Sequence, residues 1–300
     1  MRPLLLAAGY VNVDVTAELG RIPGFGERVT AGRISRSPGG MTANMACAAS
    51  RLGMEVRFFG GVGPDTGGEE AVAELARFGV DTSAMTASEG STTTSLILLG
   101  PEGDRAIVSE PLAFDYQPLR AALVESPERR KCLHVDGYRL ADGLSVLRQA
   151  RRAGFVTSAD LDGIEPGELA AKLPEIAEAL DVAFLNAGLA EALAEDPEEA
   201  ADQITGQGVT AAAVTLGGAG AVVADGSGCW RVSTPEVEVV DATGAGDVFA
   251  AAFLAEWVEG GDTERAGRFA AAAAAISVGA AGARGQVPYR GEVVGLIEAS

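Results

Sequence analysis

Residues 240–253 read VDATGAGDVFAAAF, a glycine-rich turn that runs directly into an apolar, helix-forming segment. Gly244, Ala245 and Gly246 lie between two aspartates in this turn. The N-terminus of a helix carries unpaired N–H groups and the positive end of the helix dipole, and small residues let an anion approach the backbone. The turn therefore predicts an anion pocket.

Asp247 stands at the lip of this pocket, in the first turn of the expected helix. There it is placed to accept a proton from a hydroxyl group that attacks a bound phosphoryl group. The alternative is a capping acid beside an ordinary tight turn, which we would favour for an isolated Gly-x-Gly. The ordered heptapeptide DATGAGD, followed by Phe249 and an apolar helix, is much more specific.

Composition and charge limit the classes of function. An apolar fraction of 47% and a charged fraction of 22% over 300 residues predict a soluble globular protein, which we expect to be one domain over 1–300. The net charge of −19 argues against nucleic acid or an anionic membrane as a partner. An anion must then be bound locally, by backbone N–H groups, a few arginines or a metal ion.

The sequence shows no pattern typical of a signal peptide, a membrane span or a zinc site. The uncharged run 269–283 is shorter than the ~20 residues of a membrane-spanning helix, and glycines interrupt 203–224. The three cysteines lack metal-site spacing, and His134, the one histidine, is expected to have a core role. We expect a cytoplasmic protein.

Short apolar runs alternate with amphipathic stretches, which predicts βαβ units around a largely parallel sheet with ligands at the carboxyl ends of its strands. The segment 236–240 also looks strand-like. Predicted strands are 4–9, 55–62, 131–136, 155–160, 182–185 and 210–215. Predicted helices are 41–53, 66–78, 115–125, 142–153, 167–180, 187–195, 245–258 and 262–279.

Two regions, about 10–37 and 91–112, depart from this alternation. Polar and apolar residues alternate within 28–37 and 91–110, and the second segment contains a Gly-Pro-Glu-Gly-Asp turn typical of a hairpin. We expect a small separate β-sheet that covers the binding cleft as a lid. The alternative is an ordinary peripheral hairpin.

Four motifs together resemble those of the ribokinase-like, or PfkB, family of carbohydrate kinases. The turn at 240–253 is similar to the family's second signature, roughly D-T-x-G-A-G-D-x-F. The segment SPGGMTANMACAASRLG (37–53) is similar to its first signature, G-G-x-x-x-N-x-A. Residues 9–29 resemble its opening strand and substrate segment, and VTLGGAGAVV (214–223) resembles its nucleotide-binding strand and turn. The order and spacing hold over nearly the whole chain.

The resemblance implies a three-layer α/β sandwich around a mostly parallel sheet, with a small inserted β-sheet as lid. It also implies an ATP- and Mg²⁺-dependent kinase that phosphorylates a hydroxyl group of a small sugar or sugar acid, and a homodimer through the lid. Asp247 would be the base, and Gly244, Ala245 and Gly246 the anion hole. The substrate-binding residues would be Asn12, Asp14, Gly39, Gly40, Asn44 and Asp136. The nucleotide-binding residues would be Asn186, Thr215, Gly217, Gly218 and Gly220.

The resemblance further implies a monovalent cation such as K⁺ at Asp241 and the Thr243 carbonyl. Arg105 follows the hairpin turn and is a candidate for nucleotide phosphate. With Arg33 and Arg139, it is also a candidate for an anionic group of the substrate. A solvated surface role is the alternative for each arginine.

One position departs from the family pattern. Family members commonly carry N-x-x-E, in which the acid organises magnesium and phosphate, whereas this chain has Asn186 followed by Leu189. Glu191 comes two residues later and would point elsewhere on a helix. The departure puts the magnesium ligand in doubt and leaves a catalytically silent sugar sensor as an alternative. A second alternative, a nucleoside or vitamin-like alcohol kinase, would need an aromatic slot in a chain with 5% aromatic residues.

Overall fold

The computed structural model describes residues 2–101, 105–110, 114–123 and 130–299. Its strands are β1 Leu4–Ala8, β2 Asn12–Glu18, β3 Arg33–Gly39, β4 Glu55–Phe59, β5 Gly61–Val62, β6 Thr86–Ala87, β7 Thr93–Leu99, β8 Arg105–Ser109, β9 Lys131–Asp136, β10 Val156–Asp160, β11 Val182–Asn186, β12 Ala211–Thr215, β13 Ala221–Asp225 and β14 Gly228–Val232. Its α-helices are α1 Met41–Arg51, α2 Thr66–Arg77, α3 Gln117–Ala122, α4 Leu140–Arg152, α5 Pro166–Ala177, α6 Ala187–Ala190, α7 Pro197–Gly206, α8 Ala245–Gly260, α9 Thr263–Ser277 and α10 Arg290–Ala299.

An eight-stranded sheet forms the centre of the protein, in the order β14-β13-β12-β11-β10-β9-β1-β4. The six strands from β12 to β4 are parallel, and β13 and β14 continue the sheet in antiparallel pairing. Parallel strands are joined by crossover helices, which cover both faces of such a sheet. The fold therefore has three layers, and the predicted α/β class is confirmed.

Side chains that alternate along each central strand pack against opposite helical layers. Leu5 and Ala7 of β1 belong to the core shared with α1, α2, α8, α9 and α10. Leu6 and Ala8 belong to the core shared with α3 to α7. Because both faces are buried, these strands are continuously apolar. His134 is buried in β9 with Nδ1 3.0 Å from Ser158 Oγ, as expected for a core residue.

A second sheet, termed here the small sheet, consists of four strands in the order β3-β2-β7-β8. It is built from the two regions in which the sequence departs from βαβ alternation. In β2 and β7, the polar side chains of Asn12, Asp14 and Ser95 face the central sheet and line the cleft described below. The predicted 10–37 and 91–112 segments fall partly outside the described residues, at 102–104 and 111–112.

Some element boundaries differ from the predictions. Residues 236–240 do not form a strand. At the end of this segment, the N–H groups of Val240 and Asp241 both donate to the Val278 carbonyl oxygen. The predicted helix 187–195 ends at Ala190 and continues as a turn. The predicted helix 115–125 is α3, and its last two positions lie outside the described residues. In the part of the chain that the structure describes, no helix is both long and apolar enough to cross a membrane.

Candidate active site

Four adjacent strands of the central sheet end in polar residues. The last residues of β9, β10, β11 and β12 are Asp136, Asp160, Asn186 and Thr215, and the pairing register aligns Asp136 with Asp160 and Asn186 with Thr215. The carboxyl ends of parallel strands meet at one edge of a sheet, where ligands of open α/β folds bind. These four residues therefore mark the ligand-binding edge.

A cleft of about 1070 Å³ opens between this edge, the start of α8 and the small sheet. Pockets for one small molecule have volumes of roughly 300–1,000 Å³, so the cleft has room for two. The sequence-predicted residues that line it are Asn12, Asp14, Gly40, Asn44, Arg105, Asn186, Asp241, Thr243, Gly244, Gly246 and Asp247.

Asp247 lies in the first turn of α8, buried at the base of the cleft. The Asn44 side-chain amide donates to Asp247 Oδ2 at 2.8 Å. Burial raises the pKa of Asp247 to about 7, although the bond from Asn44 and the charge of Arg284 act in the opposite direction. A carboxyl group with a pKa near neutrality can accept a proton under ordinary conditions, as a general base must.

Gly244 ends the turn before α8 in a left-handed conformation, with φ of 79°. A Cβ added there would lie 2.7 Å from the Ala283 Cβ, so both the backbone angle and the space require glycine. A Cβ at Gly246 would meet no atom within 4 Å. The loop is therefore fixed at Gly244 and open to the cleft at Gly246.

The start of α8 presents backbone donors to the cleft. The first intrahelical bond runs from the Val248 N–H to the Gly244 carbonyl oxygen at 3.0 Å. The N–H groups of Gly246 and Asp247 precede it, and such groups point out of the helix end. The Ala245 N–H instead donates to the Ala242 carbonyl oxygen at 3.3 Å. This helix end is suited to an anion.

Asp241 holds the other side of the loop. Its Oδ1 accepts from the Thr243 N–H at 2.9 Å and the Thr243 hydroxyl at 2.6 Å, and its Oδ2 accepts from the Gly282 N–H at 2.8 Å. Burial tends to raise the pKa of Asp241, but these bonds outweigh it and hold the pKa below its usual value. Arg105 Nη2 lies 3.4 Å from Oδ1, which joins the small sheet to this loop.

Polar side chains of the small sheet form the opposite end of the cleft. Asn12 Nδ2 donates to Asp14 Oδ1 at 2.6 Å and to Ser95 Oγ at 2.8 Å. Asn12 Oδ1 is buried and has no hydrogen-bond partner in the described structure. Burial raises the pKa of Asp14, while Asn12 lowers it. A ligand hydroxyl that donates to Asn12 Oδ1 would satisfy that buried acceptor.

The first signature places two glycines beside these side chains. A Cβ added at Gly39 would lie 2.2 Å from Asp14 Oδ2 and 2.7 Å from Asn12 Oδ1. Gly40 follows and precedes α1, which carries Asn44 on its first turn. Glycine therefore allows the small sheet and α1 to meet closely, which brings Asp14 and Asn44 to one pocket.

Asp136 occupies a different place from the one expected. It does not line the cleft; it is buried behind the residues that do, and its Oδ2 accepts from the Thr42 hydroxyl at 3.0 Å. Burial raises the pKa of Asp136 to about 6. In front of it, Tyr10 and Tyr138 lie edge to face with ring centroids 5.6 Å apart, and both line the cleft.

Asn186 and Leu189 occupy the positions of the family's N-x-x-E pattern. Asn186 Oδ1 accepts from the Leu189 N–H at 2.9 Å, and Leu189 is buried at the cleft wall. Asn186 Nδ2 donates to Asp162 Oδ2 at 2.5 Å. The Asp162 N–H in turn donates to Asp160 Oδ1 at 3.0 Å, and burial raises the pKa of both carboxyl groups. Two acids thus lie in the cleft beside the position that lacks one.

The remaining predicted nucleotide-binding residues lie farther along the same edge. Thr215 ends β12, and its hydroxyl donates to the Leu185 carbonyl oxygen at 3.3 Å. Gly217 and Gly218 belong to a 3₁₀ turn in which the Gly220 N–H donates to the Gly217 carbonyl oxygen at 3.0 Å. These residues do not line the cleft that contains Asp247.

Sequence reasoning missed three site residues, Arg284, Asp160 and Asp162. Arg284 lies in the turn after α9 and is part of none of the four motifs that carry the family resemblance. Asp160 closes a predicted strand, so the rule that ligands bind at strand ends was a usable signal for it. Asp162 was harder to predict as a site residue, because it comes two residues after the strand and its position depends on how the chain turns there.

Comparison with known proteins identifies the family of the chain. The sequence pattern of the pfkB family carbohydrate kinases matches residues 2–290. The chain belongs to this family. It is 31% identical to the ATP-dependent ribose-1-phosphate kinase of Halopiger xanaduensis, over 93% of each chain. It is also 31% identical to the ribokinase of Bacillus subtilis, over 96% of this chain and 97% of the relative.

Solved structures agree with this assignment. The Arabidopsis thaliana ribokinase complexed with ribose and ATP superposes with a TM-score of 0.81 at 26% identity, and all of each chain is covered. Ribokinase-family kinases use ATP with Mg²⁺. The chain is accordingly a phosphotransferase with an alcohol group as acceptor, a carbohydrate or nucleoside kinase. The prediction of an enzyme is confirmed, and the silent sensor is not supported.

Proposed function

We propose that the protein transfers the γ-phosphoryl group of ATP to a primary hydroxyl group of a small sugar or sugar acid. The main support is the position of Asp247 in the cleft. On one side of it lie side chains that can bind hydroxyl groups, and on the other side lie the N–H groups at the start of α8. Ribose and ribose 1-phosphate are the first candidates, because two similar proteins are a ribokinase and a ribose-1-phosphate kinase.

The sugar is bound by donors and acceptors that converge from two elements. Asp14 and the unpartnered Asn12 Oδ1 accept from sugar hydroxyls, and the second N–H of the Asn44 amide donates to one. Gly40 lines the pocket beside them, and Gly39 leaves the space that the side chains of Asp14 and Asn12 occupy. A site that pairs each substrate hydroxyl discriminates strongly against analogues that lack one.

Asp247 accepts the proton of the attacking hydroxyl as its oxygen bonds to the γ-phosphorus of ATP, while the bond from that phosphorus to the β,γ-bridging oxygen breaks and ADP leaves. The N–H groups of Gly246 and Asp247 then face the negative charge of the transferred phosphoryl group. Arg105 of the small sheet pairs with Asp241 of this loop. If its guanidinium binds phosphate in place of Asp241, it adds a positive charge beside the transferred group. We assign Asn186, Thr215 and the turn of Gly217, Gly218 and Gly220 to the nucleotide side of the edge.

The residues present fit a magnesium ion without the acid that Leu189 replaces. Mg²⁺ prefers oxygen ligands and is bound through one or two carboxylates, phosphate oxygens and water. Asp162 and Asp160 supply such carboxylates in the cleft, and Asn186 orients Asp162. The ion would neutralise phosphate charge when bound. No group of three or more acidic, His or Cys side chains in the described residues is arranged to hold a metal alone.

Asp241 and the Thr243 carbonyl stay the candidate residues for a monovalent cation such as K⁺. Donors from Thr243 and Arg105 contact Asp241 Oδ1, and the Gly282 N–H donates to Oδ2. A carboxylate oxygen has about two acceptor positions, so Oδ2 keeps one that a cation could use. Asp241 also holds the loop through these bonds.

A substrate panel tests the proposed function. Purified protein is incubated with ATP, Mg²⁺ and each of ribose, ribose 1-phosphate, other pentoses, ketohexoses, keto-deoxy acids and nucleosides, and ADP is measured. We expect sugar-dependent turnover on at least one. The absence of turnover on every compound, with protein shown to be folded, would count against the proposal.

A nucleoside is the second candidate because the cleft carries an aromatic surface. Tyr138 is 51% exposed and lines the cleft, with its ring edge to face with that of Tyr10, so it offers aromatic surface to a flat base. A nucleoside kinase from Methanothermobacter thermautotrophicus is 24% identical to the chain. Tyr138→Ala should then impair turnover of nucleosides much more than turnover of ribose.

The pH dependence of kcat/KM for the sugar should report the ionisation of Asp247. The pKa of Asp247 is raised to about 7, and only the ionised form accepts a proton. We expect kcat/KM to be level above that pH and to fall about tenfold per unit below it. Initial rates at saturating MgATP from pH 5.5 to 9 measure this. A profile level down to pH 5.5 would exclude the assignment.

We also expect a homodimer through the small sheet. Its face away from the cleft carries the apolar side chains Ile34, Leu96 and Val108, which are 67%, 49% and 65% exposed. Exposed apolar surface of this kind favours association. Sedimentation should show a dimer that Leu96→Glu with Val108→Glu dissociates, whereas Ile297→Glu on α10 should not. A monomeric native protein would exclude the dimer.

A further inference from the structure

Arg284 connects three parts of the active site from a buried position. It lies in the turn after α9, and its side chain is only 5% exposed although it reaches the cleft wall. Its Nε donates to Asn44 Oδ1 at 2.9 Å and its Nη2 to the Gly39 carbonyl oxygen at 3.2 Å. Its Nη1 pairs with Glu74 of α2. One guanidinium thus bonds α1, α2 and the first-signature glycine together.

The bond to Asn44 determines which way its amide faces. An amide has one acceptor oxygen and one donor NH₂ group, and a guanidinium is only a donor. The oxygen of Asn44 must therefore face Arg284, which directs the NH₂ group to Asp247 Oδ2. With the amide reversed, two donors would meet at Arg284, and two acceptors would meet at Asp247.

We propose that Arg284 is a positioning residue that fixes the Asn44 amide, so that its NH₂ group serves both the Asp247 carboxylate and a hydroxyl group of the substrate. One N–H holds Asp247 and the other is left for the substrate. This role rests on the proposed function, in which Asp247 is the base. It extends that function to a residue outside the recognised motifs.

The charge of Arg284 also acts on the ionisation of Asp247. Desolvation raises the pKa of Asp247, and the carboxylates around it add to this effect, whereas Asn44 and Arg284 lower it. The charged or titratable groups that act on Asp247 are Asp136 and Asp160 at strand ends, Asp162 after β10, Tyr10 after β1, and Arg284 after α9. Arg284 supplies positive charge in a set that is otherwise acidic, and Glu74 partly neutralises it.

The test uses a signal of the Asn44 amide itself. In protein labelled with ¹⁵N, the side-chain NH₂ resonances of Asn44, assigned by their loss in Asn44→Ser, are followed from pH 5 to 9. We expect a titration midpoint near the pKa of Asp247, about 7, in the native protein. Arg284→Gln removes the charge and should raise the midpoint by about half a unit to one unit.

Two further variants should move the midpoint in the opposite direction or leave it near the native value. Glu74→Gln keeps an acceptor for Arg284 but removes a negative charge, so the midpoint should fall. Arg284→Lys keeps the charge without the forked geometry, so the midpoint should stay near the native value while kcat falls about 10- to 100-fold. Arg268→Gln, at an exposed arginine on α9, is the matched control and should change neither.

Equal midpoints in the native protein, Arg284→Gln and Glu74→Gln would overturn the inference. If Arg284→Gln does not fold, the opposite shift in Glu74→Gln and the loss of kcat in Arg284→Lys still decide it. The amide signal needs no substrate. Shifted midpoints without turnover on any compound would therefore support the role of Arg284 while they contradict the proposed function.

Discussion

Asp247→Asn should lower kcat about 10²- to 10⁴-fold and leave the affinity for the sugar nearly unchanged. The amide has nearly the shape of the carboxylate, and Asn44 can still contact its oxygen. It cannot accept the proton of the attacking hydroxyl, so the loss falls on the chemical step. Steady-state kinetics with the preferred substrate of the panel gives kcat, and calorimetry gives the sugar dissociation constant.

Asp202→Asn is the matched control, because Asp202 is exposed on α7 and is outside the cleft lining. It should keep native kcat. A loss of less than about fivefold in Asp247→Asn, with the control unchanged, would show that Asp247 is not the base. Equal losses of kcat and sugar affinity would show instead that it binds the sugar.

Gly244→Ala should reduce kcat about 10²- to 10³-fold and also lower the thermal midpoint. The positive φ of 79° is unfavourable for alanine, and the new Cβ would lie 2.7 Å from the Ala283 Cβ. To relieve this contact, the loop must move, and the N–H groups of Gly246 and Asp247 would leave the phosphoryl position. Kinetics and thermal denaturation measure the two effects.

Gly260→Ala at the other end of α8 separates loop displacement from a general effect on the helix. A Cβ there meets no atom within 4 Å, so we expect native kcat and equal or higher stability. If Gly244→Ala retained native kcat, the loop geometry would not matter for catalysis, and the anion-hole role would have to be abandoned.

The fold could be predicted because its signals are local. Short apolar runs such as Leu4–Ala8 form buried strands, and the Gly244 turn is followed at once by a helix. The strand predicted at 236–240 was wrong, because the backbone there does not bond to a neighbouring strand in the part of the chain that the structure describes. Val240 donates to the Val278 carbonyl oxygen in a loop, and no strand of the described sheets lies beside it. Alternation alone does not show where a neighbouring strand is.

The candidate site could be predicted only where one motif held several of its residues. Asp247 and Gly244 are three positions apart, but Arg284 bonds Asn44 across 240 residues of sequence. That contact depends on how α1 and the turn after α9 meet in space. Asp136 is the opposite case: the family resemblance implied a substrate ligand, whereas in the structure its Oδ2 accepts from the Thr42 hydroxyl and the residue does not line the cleft.

In the proposed function, the replacement of the family's acid by Leu189 bears on how magnesium is held and leaves the proposed base, Asp247, in place. Leu189 is buried against the α6 side of the sheet, and its N–H is capped by Asn186. Asp162 and Asp160 are nearby and acidic, so the cleft keeps carboxylates at this edge. Burial raises the pKa of both carboxyl groups, and a bound cation would stabilise their ionised forms.

Phosphorus NMR of the native protein's reaction tests the central claim most directly. With ATP, Mg²⁺ and the preferred sugar, we predict a phosphomonoester signal that grows in step with ADP. Coupling to the two protons of the adjacent CH₂ group should split this signal, as transfer to a primary hydroxyl requires. Without sugar, neither should form. ADP with inorganic phosphate in place of the phosphomonoester, at the same rate with and without sugar, would contradict the claim that this cleft transfers phosphate to a sugar hydroxyl.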